Sequence, residues 1–166
     1  MKLLILSCAL MFQISVSAQT PYTTTGTGTS SILNGILTKY ALINNEAAFP
    51  WYKSNSASYS PDSSLVNAMY TKPQVHFIIF GGTWCEDTQN IIPKFFRVQE
   101  QTGFPDNRIT FYGVDRSKKT IGGIADALGI TNVPTIIVMK DGKEIGRVIE
   151  YGKTGKWDSE LAQLLK

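Results

Sequence analysis

An almost unbroken apolar run, Val75-His76-Phe77-Ile78-Ile79-Phe80, marks a strand buried on both faces. Ile91, Ile92, Phe95, Phe96 and Gln99 follow at the spacing of an amphipathic helix's inner face. Between them lies Gly82-Thr83-Trp84-Cys85-Glu86-Asp87-Thr88, so Cys85 falls where a strand ends and a helix begins. Ile109–Val114 and Thr135–Met139 read as two further strands, separated by a short helix over Ile121–Leu128 that Gly129 closes. Asp141-Gly142 then turns the chain into a last strand, Glu144–Glu150, and Trp157, Leu161, Leu164 and Leu165 stripe a final helix. Helix-linked strands are expected to pair in parallel through crossovers, with the hairpin adding an antiparallel edge. The expected class is α/β: a mixed four-stranded sheet with helices on both faces.

Upstream the pattern changes. Ile32, Leu33, Ile36, Leu37, Tyr40 and Ala41 stand at helical spacing, with Ser30 or Ser31 as a cap. Asn44–Tyr59 reads as an irregular loop packed through Phe49, Trp51 and Tyr52. Ser60-Pro61-Asp62 signals a helix start capped by Ser60, with Pro61 at the first helical position, Leu65, Val66, Met69 and Tyr70 as its buried face and Lys72-Pro73 as its end. Residues 32–72 are therefore expected to form a helical extension before an α/β domain over 73–166. Residues 19–31, rich in Thr, Gly and Ser, read as a flexible linker.

Residues 1–18 are laid out differently again. A charged start, Met1-Lys2, precedes a largely apolar stretch from Leu3 to Phe12, and Val16-Ser17-Ala18 offers small residues for cleavage. This is the layout of a secretory signal peptide rather than of a buried helix, and its apolar core is too short to span a bilayer. The expected location is thus exported, periplasmic or secreted, with no transmembrane anchor after cleavage. Only a short stretch precedes Cys8, which leaves almost no apolar core for lipoprotein processing. Removing residues 1–18 leaves Cys85 as the one remaining cysteine of two, so no intramolecular disulfide forms.

Composition narrows the function classes. The 166 residues, 43% hydrophobic and 17% charged, suit one globular domain. A net charge of +3, with no basic block interleaved with aromatics, argues against nucleic acid as a partner. One histidine, His76, begins the strand whose far end leads to Cys85. A strand rise of about 3.3 Å per residue separates the two by more than ~10 Å, too far for a Cys-His pair. His76 reads as a surface residue at a strand end. No metal site of the usual Cys/His kind follows, and no cofactor is expected.

Cys85 carries the candidate chemistry. Unpaired N–H groups and the dipole at a helix N-terminus favour the thiolate, the reactive form of the sulfur. Glu86 and Asp87 oppose this, although acids there also serve the helix N-terminus. Trp84 is expected to shield one side of the sulfur. The plainer reading, a small buried hydrophobe, fits the junction and its polar neighbours less well. Thr88, three residues on, is expected to place its hydroxyl near the sulfur and donate to it.

The element order, with Trp84-Cys85 at the first strand-to-helix junction, resembles the thioredoxin fold. Pro93 stands where that family carries the proline of its active-site helix, and Asn132-Val133-Pro134-Thr135 resembles its cis-proline segment. Gly142-Lys143-Glu144 and Gly146 in the last hairpin are similar too, so the likeness spans roughly residues 73–166. More narrowly, the chain resembles secreted bacterial thioredoxin-like proteins with a Trp-Cys-Gly-Asp-Ser motif, a likeness that extends upstream into the Phe49–Pro61 region.

The resemblance implies that Pro134 is cis and faces Cys85, leaving the Val133 backbone free to pair with an extended substrate. It also implies departures. Thr88 stands where the dithiol motif has its second cysteine. The family's buried aspartate falls at Ile79 and its lysine partner near Phe111. The resemblance thus implies a monothiol protein acting on protein or small-molecule thiols and disulfides through Cys85 and Thr88, and a monomer is expected. Trp84, Val133 and Pro134 would form the binding surface. A redox-silent peptide-binding module is the alternative.

Overall fold

The structure, a computed structural model, describes residues 21–166. The expected signal peptide, Gln19 and Thr20 lie outside the described residues. Six strands form one sheet: β1 (Tyr22–Thr25), β2 (Ile32–Leu37), β3 (His76–Gly81), β4 (Ile109–Gly113), β5 (Thr135–Lys140) and β6 (Lys143–Ile149). Their spatial order is β1-β2-β4-β3-β5-β6. The helices are α1 (Lys39–Ile43), α2 (Pro50–Ala57), α3 (Ser63–Thr71), α4 (Glu86–Thr102), α5 (Ile124–Ala127) and α6 (Trp157–Leu164). The mixed α/β class and the four strands from His76 onward stand as the sequence indicates.

Side-chain alternation along the strands splits the core in two. Phe77, Ile79, Phe111, Ile136 and Val138 face α2, α3, α4 and α6. Ile78, Phe80, Tyr112 and Ile137 face the other way, toward Ala125 of α5 and Val133. Phe77 lies edge-on to both Phe95 and Phe104, with ring centroids 5.2 Å away in each case. The strand directions differ from expectation in one respect: β3 pairs with β4 in parallel, but β5 runs antiparallel to β3. Because β5 lies on the far side of β3 from β4, the segment through α5 is not a crossover between adjacent parallel strands. Asp141 and Gly142 take φ values of +50° and +75°, the backbone that a tight hairpin turn requires.

The upstream segment is where expectation and structure part most. Residues 32–37, expected as helix, form β2, which adds antiparallel to β4. Gly35, at φ +127°, packs so closely on β1 that an added Cβ would lie 2.5 Å from the Pro21 carbonyl oxygen. Leu33 and Leu37 point into the core on either side of it. Residues 22–25, expected as part of a flexible linker, pair with β2 as an edge strand. Within the expected loop, Pro50 opens α2, which lies against α4 while Phe49 and Tyr52 are buried. Lys39 of α1 is buried and donates to Gln99 Oε1 at 2.8 Å, with Glu100 at 3.1 Å, tying this segment to α4.

The cap of α3 is Asp62 rather than Ser60, its carboxylate accepting from the Ser64 and Leu65 N–H groups. These bonds and that of the Ser64 hydroxyl hold the Asp62 carboxyl below its usual range; the hydroxyl contributes most. A lowered native pKa means stability that is present above the unfolded value, near 3.8, and is lost as pH falls through the native value. Asp62→Ala is expected to cost about 0.5–2 kcal/mol at neutral pH. In urea titrations at decreasing pH the variant and the parent should converge below that window. A gap that persists at low pH would show that the ionised carboxylate is not what stabilises this helix start.

Candidate functional site

At the end of β3 the chain crosses Gly82-Thr83-Trp84 and enters α4 with Cys85 as its N-cap, at φ −95° and ψ 123°. The turn closes through Cys85 N–H donating to the Gly82 carbonyl at 2.9 Å. Gly82 is required by contact: a Cβ there would lie 2.5 Å from the Trp84 indole. Trp84 is held by its Nε1–H, which donates to the Val114 carbonyl at 3.0 Å, and the Arg116 guanidinium lies 5.4 Å above its ring. Glu86 and Asp87 occupy the first turn of α4, where acids complement the helix dipole. Pro93 is buried inside the same helix.

Cys85 is half-buried, neither shut in the core nor fully exposed. Its S–H donates to the Val133 carbonyl at 3.1 Å, and the Val133–Pro134 peptide is cis. The structure thus brings Cys85 together with Val133, 48 residues further along the chain, and Pro134, with Trp84 beside them in the same apolar cluster as Val133. The expectation of an entirely free Val133 backbone is corrected: its carbonyl is the thiol's acceptor. The thiolate would give up that bond and leave the carbonyl open. The adjoining loop is pinned by Glu150 N–H to Pro134 O at 2.7 Å and by the Thr135 hydroxyl to Asn132 O at 2.7 Å.

Thr88 departs from expectation. Its side chain is buried, and its Oγ1 accepts from the Gly82 N–H at 3.2 Å instead of making a hydrogen bond to the sulfur. The hydroxyl fixes the turn that presents Cys85. Ile79 and Phe111 are opposed in register on β3 and β4 and are both sealed in the core, so apolar contact fills the two positions. His76 is not a plain surface residue. It is half-buried, its Nε2 lies 2.8 Å from the Thr110 hydroxyl, and burial first and Arg108 second push its pKa down. No group of three or more His, Cys, Asp or Glu side chains comes together among the described residues.

Three site residues carry no sequence signal. The Thr83 hydroxyl donates to the Ser31 carbonyl at 2.9 Å and accepts from the Leu33 N–H at 3.3 Å, so β2 clamps the cysteine loop. Gln89 donates to the Thr83 carbonyl at 2.8 Å from within α4. Arg116 covers Trp84 from the segment after β4. The Thr83 and Arg116 contacts span elements whose adjacency only the sheet order creates, whereas the Gln89 contact is local to the start of α4.

A mixed sheet with a half-buried cysteine capping a helix and facing a cis-proline defines a thiol protein of the thioredoxin-like class. The family model for thioredoxin matches residues 61–165, well over half of the chain, and the chain belongs to the thioredoxin family. It is 28% identical over 81 residues to the thioredoxin of Mycoplasmopsis pulmonis, covering 48% of this chain and 74% of that one. To the thioredoxin of Listeria monocytogenes it is 29% identical over 72 residues, 43% of this chain and 65% of that one, just under two thirds of its length. Family membership suggests thiol–disulfide redox function with thiol substrates. Among the described residues no helix is long and apolar enough to cross a membrane.

Proposed function

We propose that this protein is an exported monothiol member of the family, monomeric, that exchanges disulfides through Cys85. The observation that carries the reading is the half-buried Cys85 sulfur at the N-terminus of α4, facing Val133 and the cis-proline, with Thr88 one turn on. The Cys85 thiolate attacks one sulfur of a substrate disulfide. A Cys85–substrate disulfide forms, and the other substrate sulfur leaves as a thiolate that takes up a proton. Thr88 offers no sulfur to resolve this species. A second thiol, from the substrate protein or a small molecule, attacks the substrate sulfur and returns Cys85 as thiolate. Electrons balance within the exchange, and no other oxidant is needed.

Trp84, Val133 and Pro134 would form the surface for an extended substrate, whose backbone could use the carbonyl that the ionising thiol releases. Thr88 would act as a positioning residue through Gly82. The test is intact-mass trapping with a disulfide-bearing protein. Mixed disulfide should accumulate on the parent, vanish in Cys85→Ser, and clear when glutathione is added. A Cys85 that neither forms adducts nor reacts with alkylating agents would leave the alternative, a redox-silent peptide-binding module.

Export is supported by Met1-Lys2, the apolar stretch to Phe12 and Val16-Ser17-Ala18. Protein recovered outside the cytoplasm of a bacterial host should have the mass of a chain beginning at Gln19. Recovery with Met1 retained would overturn that expectation.

A further inference from the structure

Away from Cys85, a groove of about 540 Å³ opens among α1, α2 and α4. That volume is within the usual range for small-molecule sites. Its floor is apolar and fully packed, with Leu42, Phe49 and Tyr52 all buried beneath it. Charged side chains surround the opening, and most of them are already paired. Lys53 meets Glu46 at 3.4 Å, and Glu100 meets the buried Lys39 at 3.1 Å. Arg97 is the exception: it lines the groove and makes no ion pair or hydrogen bond among the described residues.

Tyr52 adds a second, independent observation. The residue is only 6% exposed, and its hydroxyl has no hydrogen-bond partner among the described residues. No side-chain oxygen or nitrogen closed off from solvent lacks a partner there, so this hydroxyl keeps accessible surface, and Tyr52 lines the groove. Burial, and secondarily the Glu100 charge, push the phenol's pKa up, so it stays a donor. A hydroxyl on a largely buried tyrosine, left for an outside acceptor in the same groove as an uncommitted guanidinium, is unusual where the floor is apolar.

We propose that this groove binds a small amphipathic monocarboxylate, with its apolar body over Leu42 and Phe49 and its carboxylate held by Arg97 and the Tyr52 hydroxyl. Arg97 selects the ligand: it is the one cation lining the groove with no carboxylate partner among the described residues, which suits a single anionic head. Guanidinium donors match a carboxylate in two parallel hydrogen bonds. The apolar floor selects against small hydrophilic acids, which would gain nothing from it.

The test is calorimetric titration of the full chain with sodium octanoate, below its micellar range, and with 1-octanol as a neutral ligand of the same length. Octanoate should bind saturably at one site and more tightly than octanol. Arg97→Gln, on an exposed position, should weaken octanoate about tenfold, the order expected for one charge-assisted contact, and leave octanol unchanged. Tyr52→Phe should weaken octanoate about threefold or more, with folding confirmed by circular dichroism. Equal affinity for acid and alcohol, or an Arg97→Gln variant that binds octanoate as the parent does, overturns the assignment. So does the absence of saturable octanoate binding. None of these outcomes depends on Cys85, so the groove and the thiol chemistry stand or fall separately.

Discussion

Thr88→Cys is expected to give a protein that closes an internal disulfide with Cys85 and releases its substrates unaided. Position 88 lies three residues after the N-cap of a 17-residue helix, on the same turn as Cys85. That is the spacing at which two sulfurs on one turn can meet. The replaced side chain is buried, and cysteine is of similar size, so the turn should survive. Gly82 N–H loses its oxygen acceptor, at a cost of about 1 kcal/mol.

In a single turnover with excess reduced protein, the parent should stop at a mixed disulfide. The variant should release both substrate thiols and end with its own two sulfurs joined, two electrons having passed to the substrate. Intact mass distinguishes the two products. A variant that oxidises readily with glutathione disulfide yet never reduces a protein disulfide would show that the surface around Pro134 does not admit substrates.

The largest loss of stability is expected from Phe77→Ala. Phe77 has no exposed surface and packs edge-on against Phe95 of α4 and Phe104 of the loop that follows. Truncating such a ring costs about 3–5 kcal/mol in lost transfer energy and cavity formation. A typical domain has only about 5–15 kcal/mol in total. The urea midpoint should fall sharply with little change in slope, while Phe77→Leu, which leaves a smaller void, should fall much less. A cost below about 1 kcal/mol would mean that the two neighbouring rings collapse into the space.

The C-terminal part of the fold was legible because its strands and helices differ plainly in period. The run through Phe80, the stripe from Ile91 to Gln99 and the Asp141-Gly142 turn each admit one reading. The upstream part was not. Ile32, Leu33, Ile36 and Leu37 fit helical spacing as well as they fit a strand, because the alternating inward position between Leu33 and Leu37 is Gly35, which has no side chain to reveal it. Tyr22–Thr25 reads as polar and loose, yet three threonines suit an edge strand with one neighbour. Pro50 carried a helix-start signal that the poor helix formers Ser54, Asn55 and Ser56 obscured.

At the site, Cys85 as an N-cap and the cis bond at Pro134 were readable, the first from the strand-to-helix junction and the second from the family likeness. The Thr88 hydroxyl was not. Sequence spacing puts it near the sulfur, but it cannot show that the Gly82 N–H, left unpaired by the turn, reaches that oxygen first. The direction of β5 was hidden for a similar reason, since a helix between two strands says nothing about which side of the sheet the second one joins.

The clamp that Thr83 makes with Ser31 and Leu33 has a consequence in time. Its two halves are 52 residues apart, so the loop bearing the only thiol in the described chain is held by backbone synthesised well before it. The opposing Val133 and Pro134 are synthesised well after it. A chain emerging from its N-terminus therefore brings the holding strand first, the sulfur second and the facing proline last. Until the last of these arrives, the sulfur has no carbonyl to rest against, and a nascent or half-threaded molecule presents it bare to whatever thiols and disulfides are nearby.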